Sequence, residues 1–356
     1  LRTSRGLGDV YKRQIICMLH NYLICSINFN NTKFMITSLI LLSIGIYLLI
    51  LGSDFFVEGS TSIAKILKIP MIVIGLTIVA FATSAPEILV SIVAAMSNES
   101  NLAVGNAIGS NTANIALVLG SMAIVKAVPM DSLVLKKLIK NLLIITILMI
   151  IPFLDNFISQ SEGFIILIGF SIIMFWLLRF SLELSKDNHT AKNYVDQESL
   201  DSSAHHSFAN SVFCLIFGLF LLFYGADMVV NNAIEIATIL NISETVIGIT
   251  IVAIGTSLPE LSVSITSAIK GQHGLAVGNI IGSNIFNLLA VIGIASSISP
   301  AILPENTLTV HFFLMLMLTI IVSAITFRNN KQIKRIEGFL LLLIFLSYIG
   351  YIIYNN

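Results

Sequence analysis

The sequence predicts an all-α integral membrane protein, with ten transmembrane helices in two inverted five-helix repeats. Three observations carry that prediction. Of the 356 residues, 56% are hydrophobic and only 11% charged, too little charge to cover a soluble chain of this length. Residues 52–120 and 225–293 align without a gap, with about half of the positions identical, the mark of an internal repeat. The basic residues also fall in every second connection between apolar segments, as a multi-pass topology requires.

Ten segments are long and apolar enough to cross a bilayer, which takes about 20 residues: 36–63, 71–97, 102–125, 132–151, 162–184, 209–238, 244–269, 275–299, 307–327 and 336–354. They sort into a first five-helix half, 35–184, and a second, 209–356. Between them, residues 185–208 carry Lys186, Asp187, Asp196, Glu198 and Asp201 and read as a solvated cytoplasmic linker. His189, His205 and His206 lie in it and read as solvated, with a weak regulatory metal site as the lesser alternative. Residues 1–34 begin with Leu1, are basic at Arg2, Arg5, Lys12 and Arg13, and hold only a short apolar run. They are expected to be a non-native or disordered leader, with Met35 as the start.

Orientation follows from charge. Lys65, Lys68, Lys126, Lys136, Lys137, Lys140, Arg179, Lys186, Lys192, Lys270, Arg328, Lys331, Lys334 and Arg335 all lie on or beside odd-numbered connections. The even connections hold Glu99, Asp155, Glu162, Glu244 and Glu305, without Lys or Arg. By the positive-inside rule the odd connections are cytoplasmic. The expectation is a multi-pass protein of the plasma (inner) membrane with both termini outside. The repeats start five crossings apart, so the second copy enters from the opposite face and the halves are inverted.

Within each repeat the apolar pattern is broken once. Thr83-Ser84-Ala85-Pro86-Glu87 recurs as Thr256-Ser257-Leu258-Pro259-Glu260, at an offset of 173 residues throughout (87 to 260, 106 to 279, 114 to 287). A charged group at the bilayer centre costs about 2.5–3.5 kcal/mol on the insertion scale and marks function by default. Proline removes one backbone donor and crowds the carbonyl four residues back, here Ala82 and Gly255. A kink or unwound turn is expected, tolerable where it lines a cavity. Thr83 and Ser84 precede Glu87 by four and three residues and share its helix face. Thr256 and Ser257 do the same for Glu260.

The next segment of each repeat carries Gly105-Asn106-Ala107-Ile108-Gly109-Ser110-Asn111-Thr112-Ala113-Asn114 and Gly278-Asn279-Ile280-Ile281-Gly282-Ser283-Asn284-Ile285-Phe286-Asn287. Ser110 and Asn114, like Ser283 and Asn287, are i, i+4 neighbours. The glycines form a small-xxx-small seam that permits close helix approach. Carboxylates, hydroxyls and amides are hard oxygen donors, suited to Ca²⁺ and Na⁺ rather than to zinc or copper. Asp54 and Asp227 also match between copies and read as capping or snorkelling groups, with gating as the lesser alternative.

Other functions fit less well. Zero net charge gives no support for a nucleic-acid partner. Cys17, Cys25 and Cys214 have no metal-ligand spacing and read as packing residues. An intramembrane hydrolase would need a base beside Ser84, and no His lies at that depth, so the chain reads as no enzyme. A channel would need polar groups along a whole pore, whereas these cluster at one depth. The sequence leaves the oligomeric state open.

These motifs closely resemble those of the cation/calcium exchanger family, in particular its prokaryotic sodium/calcium exchangers. The resemblance covers everything after Met35 and is strongest in the two repeats. It implies ten helices in inverted halves around a diamond of ion-binding oxygens. It further implies cation ligands at Thr83, Ser84, Glu87, Ser110 and Asn114, and at Thr256, Ser257, Glu260, Ser283 and Asn287, joined by the carbonyls of Ala80 and Ala253. No cofactor is implied; Ca²⁺ and Na⁺ are substrates, with the lipid bilayer as surroundings. The first and sixth helices would slide over the core to alternate access. Some relatives carry Asp at the positions of Asn114 or Asn287, so here Glu87 and Glu260 alone supply formal negative charge. Na⁺-driven Ca²⁺ antiport is the leading expectation, with proton-driven Ca²⁺/H⁺ exchange as the alternative.

Overall fold

The computed structural model describes residues 3–130, 133–186, 207–240, 242, 251, 253–328 and 332–355; at 3–33, 181–182, 184–186, 253 and 355 only the backbone is described. The linker histidines and most of the 185–208 linker lie outside the described residues, as does most of 243–252. The 1–34 leader is described from residue 3, as the start of a helix by its backbone alone.

The chain is built from helices of the lengths that its apolar runs dictate. In order they are α1 (Thr3–Leu67), α2 (Met71–Thr83), α3 (Ala85–Met96), α4 (Ser100–Val125), α5 (Leu133–Leu148), α6 (Gln160–Lys186), α7 (Phe208–Ile239), α8 (Ala253–Thr256), α9 (Leu258–Ile269), α10 (His273–Ile298), α11 (Thr307–Phe327) and α12 (Arg335–Asn355). Among the described residues, seven helices are long and apolar enough to span a bilayer, and α2 with α3 forms an eighth candidate. Each of the ten predicted segments falls on helical backbone, the 244–269 segment being described mainly from residue 253. The 132–151 segment gives the shortest unbroken helix among them, 16 residues in α5.

Burial sorts these helices into an inner and an outer set. The most apolar window of α10 is wholly buried and that of α4 is 72% buried, against 17% for α1, α6 and α12. The outer helices turn Ile44, Tyr47, Ile165, Ile172, Phe213, Phe220 and Leu346 outward, all exposed. Long helices that satisfy their own backbone groups and turn apolar side chains outward are the arrangement that lipid selects. The protein is therefore an integral, multi-pass membrane protein.

On the outside, α1 and α7 run side by side at unusually close range. A methyl group on Gly52 would come within 2.7 Å of Leu222 N, and one on Gly218 within 2.4 Å of Phe56 N. Such contacts leave room only for hydrogen, so the glycine stripe sets how near the two backbones lie.

Four two-residue strands tie the connections together. β1 (Val128–Pro129) pairs antiparallel with β4 (Gln332–Ile333), and β2 (Phe157–Ile158) with β3 (Ala301–Ile302). Arg335 donates to Val125 O beside the first pair, and Gln160 to Ile298 O beside the second. The connection after α4 thus meets the one before α12, and the connection before α6 meets the one before α11. Sequence reading did not foresee these strands.

Candidate functional site

Both proline motifs break their helix at the same residue and in the same way. Ser84 has φ −85° and ψ 3°, and Ser257 has φ −90° and ψ 5°. The axis bends by 43° between α2 and α3. Pro86 and Pro259 then sit in the first turn of the following helix, where a missing N–H costs nothing. The expected kink is present, and its consequence is electrostatic. Glu87 and Glu260 fall in the first turns of α3 and α9, where the positive end of the helix dipole favours a carboxylate.

These two acids face neither lipid nor water. Each is 1% exposed, and α9, which carries Glu260, packs against the 80–83 end of α2, just before Glu87. Neither has a salt-bridge partner among the described residues, and all four carboxylate oxygens are buried without a hydrogen-bond donor.

The asparagine-rich helices bring the remaining oxygens inward. α10 packs along α2, and α4 against α8, so each such helix crosses to the broken helix of the other half. The glycine seam permits this approach in α10: a methyl on Gly278 would lie 2.4 Å from Ile72 O, and one on Gly282 2.5 Å from Ala80 Cβ. The segments that Gly105 and Gly109 would face in the second half are largely outside the described residues. Ser110, Asn114, Ser283 and Asn287 are all buried. Among the described residues, Ser110 Oγ and both amide atoms of Asn114 and of Asn287 lack partners, as do Ser84 Oγ and Ser257 Oγ.

Of the predicted ligands, Thr83 and Ser283 approach each other across the halves, with their hydroxyls 3.5 Å apart. Ala80 O accepts from Ser84 N at 2.9 Å, and the Thr83 hydroxyl oxygen lies 3.4 Å from it. Thr256 is half-buried and Ala253 opens α8. Among the described residues no three His, Cys, Asp or Glu side chains group together. The donor set is two carboxylates amid neutral oxygens, which fits a hard cation as transported substrate.

Three features escaped sequence reading. Asn114 begins one wide helical turn, Asn114–Val118, and Asn287 lies in another, Phe286–Val291; such π-helical turns recur at functional sites. Asn279 bridges the halves, accepting from Thr83 and donating to Ser264 Oγ at 3.3 Å. Ser264 and its repeat counterpart Ser91 sit one turn beyond the two glutamates, both fully buried. Their i+4 spacing from Glu and their matched register were the available signal.

Known proteins resemble this chain over most of its length. The family model described as sodium/calcium exchanger protein matches residues 37–179 and 210–354. CaxA of Alkalimonas amylolytica is 37% identical over 324 residues, covering 90% of this chain and all of that one. The sodium/calcium exchanger MaX1 of Methanosarcina acetivorans is 30% identical over 344 residues, covering 88% and 98%. A structure of the sodium-calcium exchanger NCX_Mj soaked with Na⁺ and Sr²⁺ superposes with a TM-score of 0.74 at 32% identity, covering 89% of this chain and 99% of that one.

Proposed function

Because this chain belongs to the sodium/calcium exchanger family, we propose that it exchanges Na⁺ for Ca²⁺ across the membrane, as a Na⁺-driven antiporter working by alternating access. The observation that carries the reading is the buried acid pair. Two carboxylates from different repeats, enclosed and without a basic partner among the described residues, are costly unless a cation joins them. One Ca²⁺ or two Na⁺ would neutralise Glu87 and Glu260. Asn114 and Asn287 add oxygen but no charge. Thr83, Ser84, Ser110, Thr256, Ser257 and Ser283, with the carbonyls of Ala80 and Ala253, would complete flexible oxygen coordination, which both ions accept at similar distances. Competition for one set of oxygens then couples the two fluxes.

The scaffold of this proposal is ten spanning helices in inverted halves, 35–184 and 209–356. The strand pairs support it. They join odd connections to odd and even to even; the repeat offset carries Val128 onto Ala301 and brings Ile333 within two residues of Ile158, so one pair is the approximate counterpart of the other on the opposite face. Basic residues gather at the first pair and acidic ones at the second, which supports cytoplasmic odd connections and both termini outside.

Proteoliposomes carrying the purified chain test the coupling ion. With pH equal on both sides, an outward Na⁺ gradient should drive radiolabelled Ca²⁺ uptake. Uptake that ignores Na⁺ and follows only a pH gradient would replace this reading with Ca²⁺/H⁺ exchange.

A further inference from the structure

The two halves are alike in sequence, yet one contact exists in only one of them. Near its C-terminal end α1 lies along α9. Lys270 Nζ is 3.0 Å from Asp54 Oδ1 and also donates to Asp54 O at 3.2 Å. Ser53 Oγ and Thr266 Oγ1 are 2.7 Å apart. Since Ser53 already donates to Ile50 O, Thr266 is the donor across this interface.

The equivalent contact in the other half would join α7 to α3. Moved by the repeat offset, Ser53 becomes Ala226, Thr266 becomes Val93, Asp54 becomes Asp227 and Lys270 becomes Ser97. An apolar pair and an acid facing a serine cannot form the same bonds. Accordingly α7 does not pack on α3 as α1 packs on α9, and Asp227 is exposed with no ion-pair partner among the described residues. The asymmetry has a physical origin. Lys270 belongs to an odd connection, where basic residues collect, whereas Ser97 belongs to an even one, which holds none.

We infer that Asp54, Lys270, Ser53 and Thr266 form a one-sided latch that favours the carrier state closed toward the basic connections. This rests on the alternating-access reading above. Lys270 lies ten residues beyond Glu260, about 15 Å along the helix, so the latch acts clear of the ion-binding oxygens. It sets which face the site opens to, not what the site holds. Ser264 and Ser267 lie between latch and site on the Glu260 face of α9; both are fully buried, and Ser267 Oγ has no hydrogen-bond partner among the described residues.

The test is solvent access from the latched face. Ser267→Cys, in a full-length chain with Cys17, Cys25 and Cys214 replaced by alanine, is exposed in inside-out vesicles to a membrane-impermeant maleimide. Adding Lys270→Gln should speed labelling about two- to fivefold, the range that an exposed ion pair supports. Thr266→Val, which keeps the volume and loses the hydroxyl, should also speed it. The exchanged pair Asp54→Lys with Lys270→Asp should return labelling to the slow rate. Equal rates with and without the latch, or an exchanged pair that labels as fast as Lys270→Gln, would overturn the inference. Labelling needs no ion gradient, so failure of Na⁺-driven Ca²⁺ uptake in the unmodified chain would be read separately.

Discussion

The Thr83 hydroxyl donates to Asn279 Oδ1 at 3.0 Å, bonding a ligand of one repeat to the asparagine helix of the other. Asn279 Nδ2 continues the chain to Ser264 Oγ at 3.3 Å, and all three side chains are fully buried. Asn279 thereby fixes the orientation of the Thr83 hydroxyl, next to Ser283 of the other half. Asn279→Ala should weaken Ca²⁺ binding about 10- to 100-fold, the usual cost of removing a group that orients a ligand. Calorimetric titration of the detergent-solubilised protein measures it, and unchanged affinity would show that Asn279 has no such role.

Close packing of α10 on α2 makes a second expectation. Gly282→Ala would press a methyl to 2.5 Å from Ala80 Cβ and 2.6 Å from Leu76 O. Overpacking of this kind costs about 1–3 kcal/mol, so the melting temperature in detergent should fall. Gly169→Ala, which meets nothing within 4 Å, should leave it unchanged or slightly raised. Equal melting of the two variants would contradict the seam.

Sidedness makes a third. Single cysteines at Glu99, Asp155 and Glu305 should react with an impermeant reagent added outside intact cells. Cysteines at Lys126, Lys270 and Arg335 should react only from the cytoplasmic face. A mixed pattern within either set would break the ten-crossing arrangement.

Much of this was legible in the residues. Glu87 and Glu260 stand out because an acid inside an apolar span needs a reason, and the repeat supplies the same reason twice. The breaks at Ser84 and Ser257 follow from proline two residues on. The π-helical turns at Asn114 and Asn287 were not legible, because no residue type signals one extra residue in a turn. Asn279 stands in a legible motif, but its bond to Thr83 spans 196 residues and only the fold supplies it. Likewise Asp54 looked like an interfacial cap until Lys270, 216 residues away, was placed beside it. Sequence periodicity reports which face a residue occupies; it does not report what meets that face.

The central claim is that one acid from each half jointly holds the transported cation. Ca²⁺ uptake driven by a Na⁺ gradient, measured with radiolabel in proteoliposomes of Glu87→Gln and of Glu260→Gln, tests it most directly. Each substitution keeps the shape and removes one of two buried charges, so each alone should abolish uptake while the protein still folds and inserts. Near-normal uptake by both variants would contradict the account.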